Sequence, residues 1–145
     1  MTPSTPDPAW VVVDSNVWIS ALVFGGAPRQ VFETVVRDAL RLVVSAEILT
    51  EIRRVVAGKF PDFVDDIETL LGVLHDYLDT IPLGAITIAA SRDPDDNRVL
   101  ETAILGGAAA IVTGDKDLLV LGTYDGVTIT TPQDWLERIG ATRPA

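Results

Sequence analysis

The sequence predicts a three-layer α/β/α fold, in which helices cover both faces of a central parallel sheet. Short apolar runs such as Trp10–Val13 and Arg41–Val44 alternate along the chain with longer segments whose apolar residues recur at helical spacing. The strand-like runs are largely apolar rather than alternating, which is typical of parallel strands buried on both faces. The length of 145 residues fits a single domain.

The composition is that of an ordinary globular protein, with 48% hydrophobic and 22% charged residues. The absence of cysteine excludes disulfides, thiolate zinc sites and cysteine nucleophiles. No secretory signal is evident, and the longest apolar run, around residues 103–112, is too short to cross a membrane. We therefore expect a cytoplasmic protein that does not enter a membrane.

The net charge of −10 argues against binding nucleic acid through the overall field of the protein. Solubility alone explains such a charge. A second explanation is that part of the negative charge is concentrated at a site for divalent cations. The charge by itself does not distinguish these two explanations.

The first quarter of the chain predicts a leader, a strand and two helices. Residues 1–8 contain three prolines and no apolar pattern, so they are interpreted as a loose leader. The strand Trp10–Val13 ends at Asp14. This residue either caps the next helix or has a chemical role at the carboxyl end of the strand. A helix begins near Val17. A second begins at Pro28, after a glycine pair, and its apolar face is Val31, Phe32, Val35 and Val36.

Two acidic residues on the third helix differ in their predicted direction. The second strand, Arg41–Val44, precedes Ser45, which caps a helix that runs to about Gly58. On a helical wheel at about 100° per residue, Glu51 borders the apolar face, whereas Glu47 lies about 140° from its centre. Glu51 can therefore lean toward a crevice, or it can be an ordinary solvated glutamate, and Glu47 is expected in water.

The remaining elements complete the alternating pattern. A helix is predicted over residues 62–78, and the single histidine, His75, is interpreted as a surface or packing residue. Strands are predicted at 110–113 and 127–130, with a short helix around 118–121 and a last helix beginning at Thr131-Pro132. The domain is therefore expected over residues 9–140, followed by a tail at 141–145.

A group of carboxylates opens the helix that precedes the strand at 110–113. Asp93 before Pro94 is a good N-cap, and Asp95 and Asp96 fall in the first turn, where the helix dipole favours negative charge. On the helical wheel, Asp96 falls within the apolar face, whereas Asp95 lies roughly 110° away. An inward carboxylate is costly unless it is paired or binds a cation. Asp96 is therefore a candidate ligand for a cation. Asp93 and Asp95 are expected mainly to stabilise the start of the helix.

Four acidic residues are expected to meet at one edge of the sheet. Asp14 and Asp115 follow strands, and Glu51 and Asp96 lie on inward or border positions of helices. In α/β sheets, the carboxyl ends of the strands open onto one crevice. Four carboxylates without histidine or cysteine are hard oxygen ligands, which suit Mg²⁺ or Mn²⁺.

These residues lie in motifs that resemble those of the PIN-domain ribonucleases, most closely the VapC-type toxins of prokaryotic toxin–antitoxin systems. The resemblance extends from Val11 to about Leu136. The pieces that carry it are Val13-Asp14-Ser15-Asn16-Val17, Glu51 within residues 45–51, Asp93-Pro94-Asp95-Asp96-Asn97, and residues 113–119. The resemblance implies Mg²⁺- or Mn²⁺-dependent endoribonuclease activity with Asp14, Glu51, Asp96 and Asp115 as the acidic quartet.

The same resemblance implies further roles. Asp117 matches an acidic auxiliary position near the metal, and Asn16 and Thr113 match polar positions that support the site. It also implies a homodimer and, for a toxin, a small antitoxin protein that blocks the site. From the residues themselves, Asp14, Asp96 and Asp115 would hold the metal, and Glu51 would hold or orient the attacking water.

RNA must be bound locally, because the overall charge opposes it. Candidate phosphate contacts lie near the quartet in sequence, although a solvated surface side chain is the favoured interpretation of any single one of them. These candidates are Arg53, Arg54, Arg92, Arg98 and Lys116.

Three other functions are alternatives to the nuclease hypothesis. A receiver-like phospho-signalling domain normally has an acidic pair after the first strand and a Lys-Pro step, and both are absent here. A haloacid-dehalogenase-type phosphatase needs Asp-x-Asp where this chain has Asp14-Ser15-Asn16. A PIN-like module that binds RNA or protein without catalysis remains open, although the complete quartet argues against it.

Overall fold

The computed structural model describes residues 7–142, and a six-stranded sheet forms the centre of this region. The order of the strands across the sheet is β3-β2-β1-β4-β6-β5. All neighbouring strands pair in parallel except β5 and β6, which are antiparallel. The strands are β1 Asp7–Val13, β2 Arg41–Val44, β3 Leu78–Thr80, β4 Ala108–Val112, β5 Thr123–Tyr124 and β6 Val127–Thr130.

Helices flank this mostly parallel sheet, and the predicted three-layer α/β/α class is confirmed. Two short 3₁₀ turns, Pro61–Phe63 and His75–Tyr77, stand before and after the fourth helix. The helices are α1 Ser15–Val23, α2 Gly26–Arg37, α3 Ala46–Lys59, α4 Val64–Leu74, α5 Pro94–Gly106, α6 Lys116–Leu119 and α7 Pro132–Thr142.

The core is built from the central strands and the inner faces of the helices, as the apolar pattern predicts. Trp18 of α1 is fully buried, its indole N–H donates to the Val13 carbonyl at 3.1 Å, and its ring centroid lies 4.6 Å from that of Phe32. The predicted face of α2 is buried except at Val36, which is 37% exposed. Val36 lies at the edge of the apolar stripe, where helical periodicity distinguishes buried from exposed positions least well.

The boundaries of several predicted elements were wrong. Asp7 and Pro8 belong to β1 rather than to a leader, and the rest of that predicted leader lies outside the described residues. The helix predicted over 62–78 ends at Leu74, after which a 3₁₀ turn leads directly into β3. The short helix begins at Lys116, because Asp115 caps it, and α7 continues to Thr142, beyond the predicted domain end. His75 is exposed, as expected.

The hairpin between β5 and β6 was not predicted. Its two-residue turn is Asp125-Gly126, and both residues have positive φ angles, 49° and 83°. An Asp-Gly pair between short strands is a strong hairpin signal, because the aspartate tolerates this conformation and the glycine adopts it freely. The hairpin adds an antiparallel edge strand to an otherwise parallel sheet, which is a common arrangement.

The order of the strands reverses between β1 and β4. From β1 the chain extends the sheet in one direction through β2 and β3, then returns to place β4 on the other side of β1. Val13 pairs with Val112, so Asp14 and Thr113 leave the sheet side by side. This is the position at which open α/β sheets form their ligand crevices.

Among the described residues, none of the helices has the length and apolar character needed to span a membrane.

Candidate metal centre

Three aspartates lie close together beyond the carboxyl ends of β1 and β4. One carboxylate oxygen from each of Asp93, Asp96 and Asp115 lies within 4.8 Å of the other two. Asp93 caps α5, Asp96 lies in the first turn of that helix, and Asp115 caps α6 after β4. Two helix N-termini thus direct their first residues toward the same point, where the helix dipoles favour negative charge.

Asp96 is the most strongly perturbed of these carboxylates. Its side chain is buried, with the residue 4% exposed, and its Oδ2 accepts a hydrogen bond from Ser91 Oγ at 3.1 Å. The pKa of Asp96 is raised to about 7, chiefly because burial disfavours the charged form. The neighbouring Asp115 and Asp93 contribute to this rise, and the hydrogen bond from the Ser91 hydroxyl opposes it.

Asp14 is also buried, and polar neighbours hold its carboxylate in place. Its Oδ2 accepts hydrogen bonds from Thr113 Oγ1 at 2.8 Å and from Asn16 Nδ2 at 3.1 Å, and its Oδ1 accepts one from Ser15 N at 2.8 Å. Burial raises the pKa of Asp14, and the charge of Asp115 adds to this effect, although the hydrogen bonds from Thr113 and Ser15 oppose it. The hydrogen bond from the backbone N–H of Ser15 makes Asp14 the N-cap of α1.

Asn16 and Thr113 link the ends of β1 and β4. Asn16 donates to Asp14 through Nδ2 and accepts a hydrogen bond from the backbone N–H of Gly114 at its Oδ1, 3.1 Å away. Thr113 donates to Asp14 and accepts a hydrogen bond from the backbone N–H of Asp115 at 3.0 Å. Each side chain therefore contacts both strand ends, which fixes the two acidic residues relative to each other.

The predicted quartet lines one cavity of about 210 Å³. Asp14 and Glu51 lie on its wall beside the three clustered aspartates, with Asn16 and Ser15 also present. Glu51 is half-buried, and its pKa is raised mainly by burial, with further contributions from Asp95 and Asp14. A hydrogen bond with Ser15 and the charge of Arg54 act in the opposite direction.

A second cavity of about 390 Å³ adjoins the first and shares Glu51 and Asp95 with it. Glu47 lines this second cavity and is half-buried, so the prediction that it points out into water was wrong. The helical wheel places a residue relative to its own helix only. It gives no information about the N-terminus of α5, which lies across this cavity from α3.

Asp93 contributes more than sequence reasoning assigned to it. It caps α5 as predicted, with its Oδ1 accepting a hydrogen bond from Asp95 N at 2.9 Å, but it also belongs to the close carboxylate group. A carboxylate has two oxygens, so it can cap a helix and face a site at the same time. Its position three residues before the inward-pointing Asp96 was the available signal, since such residues are neighbours on a helix surface.

Asp117 does not join the close carboxylate group and does not line the cavity that holds the quartet. Its backbone N–H donates to Asp115 Oδ1 at 2.8 Å, and its own carboxylate, 45% exposed, lies 3.5 Å from the Arg92 guanidinium. The role of Asp117 as a metal ligand stays a prediction. The contact that Asp117 makes with Asp115 in this geometry comes from its backbone N–H.

The candidate RNA contacts separate into two groups. Arg54 and Arg98 line the second cavity, and Lys116 is exposed at the start of α6, next to Asp115. Arg53 lines neither cavity, and its guanidinium pairs with Glu68 of α4 at 2.7 Å. The exposed side chain of Arg92 lies against Asp117.

The donor set fits a hard divalent cation. Oxygen ligands from carboxylates are those that Mg²⁺ prefers, and no sulfur or imidazole lines the cavity. Burying several carboxylates together is costly, as the raised pKa values of Asp14, Glu51 and Asp96 indicate. A cation at this point offsets that cost, because an opposite charge nearby favours the ionised form of each acid.

Comparison with known proteins agrees with this architecture. A PIN domain family model matches residues 10–117. Among solved structures, a chain from the crystal structure of VapBC2 from Rickettsia felis bound to a DNA fragment from their promoter is similar, with a TM-score of 0.58 and 13% sequence identity, over 83% of this chain and 96% of that chain. No curated protein matches the sequence significantly. The family match covers most of the chain, and the chain therefore belongs to the PIN domain family.

Proposed function

We propose that this protein is a metal-dependent endoribonuclease that hydrolyses RNA phosphodiester bonds in the cytoplasm. The observation that carries the proposal is the single cavity lined by Asp14, Glu51, Asp96 and Asp115 in a chain of the PIN domain family. PIN domains are typically nucleases that use divalent ions, and the four acidic residues to which the resemblance gives this role line the same cavity. We infer Mg²⁺ or Mn²⁺ as the ion.

In this proposal, each acidic residue has a defined task. Asp96, Asp115 and Asp14 hold the cation, with Asp93 as a further ligand at the helix start. A bound Mg²⁺ supplies a water of lowered pKa and stabilises charge on the phosphoryl oxygens. Glu51 orients the attacking water and accepts its proton, a task that suits a carboxylate whose pKa is raised toward the working pH. Asn16 and Thr113 orient Asp14 through their hydrogen bonds, and the bond from Thr113 opposes the rise in the pKa of Asp14.

Arg54 and Arg98 are the best-placed phosphate contacts in this proposal. Both line the cavity that adjoins the acidic one, so an RNA strand whose scissile phosphate lies at the carboxylates can place a neighbouring nucleotide there. Lys116 offers a further cation beside Asp115. Arg53 is a less well-placed candidate, since it lines neither cavity and its exposed guanidinium pairs with Glu68 of α4.

We also propose that the protein is the toxin of a toxin–antitoxin pair and forms a homodimer. The similarity of this fold to a chain in the structure of VapBC2 from Rickettsia felis, bound to a DNA fragment from their promoter, supports this proposal. This chain has an apolar groove of about 540 Å³ between α1, α2 and α4, a suitable surface for an antitoxin segment. The groove is lined by the apolar residues Ala21, Leu22, Phe32, Val36, Leu70, Val73 and Leu74, and by the charged residues Arg29, Glu33 and Arg37.

The direct test is incubation of the purified protein with labelled RNA. We expect internal cleavage in millimolar Mg²⁺ or Mn²⁺ and none in excess EDTA, with activity restored when the metal is added back. Single-stranded DNA of the same sequence serves as a substrate control. Cleavage that persists in EDTA would exclude the metal-nuclease mechanism, and binding of RNA without cleavage in either metal would favour the non-catalytic module.

Two glutamates on α3 provide a matched comparison. Glu51→Gln is expected to lower kcat for RNA cleavage by about 100-fold or more, because general base catalysis contributes about 10²–10⁴-fold. Glu47→Gln changes a carboxylate of similar burial one helical turn away, which lines the second cavity only. We expect it to leave kcat within about threefold of wild type, because it removes no group that acts on the water. A larger loss of kcat in Glu47→Gln than in Glu51→Gln would contradict the assigned roles.

A further inference from the structure

The segment between β3 and α5, residues 81–93, has no regular secondary structure, yet side chains of α5 hold it at two points. The first is Glu101, a buried carboxylate whose Oε2 accepts a hydrogen bond from the backbone N–H of Gly84 at 2.6 Å. The second is Asn97, whose side-chain amide bonds both backbone groups of Ser91. Asn97 Oδ1 accepts from Ser91 N, and Asn97 Nδ2 donates to Ser91 O, each at 2.8 Å.

Ser91, fixed in this way, contacts two of the clustered carboxylate residues with one hydroxyl group. Its Oγ donates to Asp96 Oδ2 at 3.1 Å and accepts a hydrogen bond from the backbone N–H of Asp93 at 3.2 Å. The terminal torsion of an aspartate is soft, so the backbone alone does not determine where its two oxygens point. The hydrogen bond from the Ser91 hydroxyl adds such a constraint on the Asp96 carboxylate, and the same hydroxyl restrains the backbone that carries Asp93.

We propose that Ser91 is a positioning residue for cation binding and that Asn97 holds Ser91 in place. The inference rests on the proposed function only in taking the Asp93, Asp96 and Asp115 group as the cation site. Ser91 bonds one oxygen of Asp96, which reduces the freedom that this carboxylate loses when a cation binds. Groups that orient metal ligands typically contribute about 10–100-fold to metal affinity.

The experiment measures Mn²⁺ binding to the EDTA-treated, dialysed protein by isothermal titration calorimetry, without RNA. Ser91→Ala is expected to weaken Mn²⁺ affinity by about 10-fold or more, and Asn97→Ala by a similar factor, because it releases Ser91. Ser91→Thr retains the hydroxyl and is expected to restore most of the affinity. Thr87→Ala removes a hydroxyl from an exposed position of the same segment and serves as the matched control, with unchanged affinity.

Thermal melts of the same variants in EDTA separate positioning from a purely structural role. If Ser91→Ala lowers the melting temperature in EDTA but binds Mn²⁺ as tightly as wild type, the hydroxyl serves the fold only and the inference is wrong. Equal weakening by Thr87→Ala would also overturn it, since any loosening of the segment would then suffice. A wild-type protein that binds Mn²⁺ but leaves RNA intact would refute the proposed function and leave this inference standing.

Discussion

Replacing any one of Asp14, Asp96 or Asp115 by asparagine is expected to lower Mg²⁺-dependent RNA cleavage by about 100-fold or more. Loss of a group that merely orients a metal ligand costs about 10–100-fold, and loss of a ligand itself removes a charge that attracts the cation directly. Asparagine keeps the size of the side chain and one oxygen. The substitution therefore tests the negative charge with little change of packing. Initial rates on a labelled RNA at saturating Mg²⁺ provide the measurement.

A matched control comes from another helix of the same chain. Asp66 lies in the first turn of α4, as Asp96 lies in the first turn of α5, but Asp66 is exposed and far from the cavity residues in sequence. Asp66→Asn is expected to leave the cleavage rate unchanged, which separates loss of the site from loss of helix dipole stabilisation. Undiminished cleavage by Asp96→Asn would exclude this cavity as the active site.

The sequence motif and the observed geometry assign different roles to Asp117, and a substitution can distinguish them. The motif assigns it an auxiliary role at the metal, whereas the structure places its carboxylate against Arg92 and outside the close group. A loss of activity in Asp117→Asn as large as that in Asp115→Asn would favour the motif. The geometry favours a small effect, because the bond that Asp117 makes to Asp115 comes from its backbone N–H.

The residues at strand ends could be predicted from sequence because their neighbours constrain them. Val11–Val13 is apolar enough to identify a buried strand, so the next residue, Asp14, must lie at its carboxyl end. The same reasoning places Asp115 after β4. Asp96 was predictable because a carboxylate in the apolar face of a helix must point inward. Each of these predictions uses local pattern only.

Contacts between distant elements could not be predicted in this way. The partner of Arg53 lies on α4, and the pattern of α3 alone does not reveal how those two helices meet. Glu47 is half-buried because the N-terminus of α5 lies across the second cavity from it. Ser91 bonds to Asp96 while the Asn97 amide bonds the Ser91 backbone, and nothing in the periodicity of α5 indicates these contacts.

The perturbed ionisation of Asp96 has a consequence for stability in the absence of metal. The pKa of Asp96 is about 7 in the folded protein, against an ordinary value of 3.8, so the folded state binds more protons than the unfolded state between these two values. The contribution of Asp96 to the free energy of unfolding therefore falls as the pH rises from about 4 to about 7. A difference of about three pKa units corresponds to roughly 4 kcal/mol at most. Solvent screening in the open cavity reduces this figure.

We accordingly expect Asp96→Asn to melt at a higher temperature than wild type in EDTA at pH 8. The substitution removes a carboxylate that Asp115 and Asp93 repel, although it forfeits about 0.3–1 kcal/mol of favourable interaction with the helix N-terminus. The net gain should raise the melting temperature by about 3–8 °C, at roughly 2–4 °C per kcal/mol for a chain of this size. At pH 5 the wild-type carboxyl is protonated, so the difference between the two proteins should shrink.

The same variant should respond less to metal. A ligand stabilises a protein only as far as it binds the folded state, by about 2.7 kcal/mol at a concentration 100 times its Kd. Wild type is therefore expected to gain stability when Mg²⁺ replaces EDTA at pH 8, and Asp96→Asn is expected to gain much less. The difference between their melting temperatures should then narrow, or the order of the two should reverse. Lower stability of the variant in EDTA would make Asp96 chiefly a structural residue of α5. A full Mg²⁺ response in the variant would show that the cation binds without it.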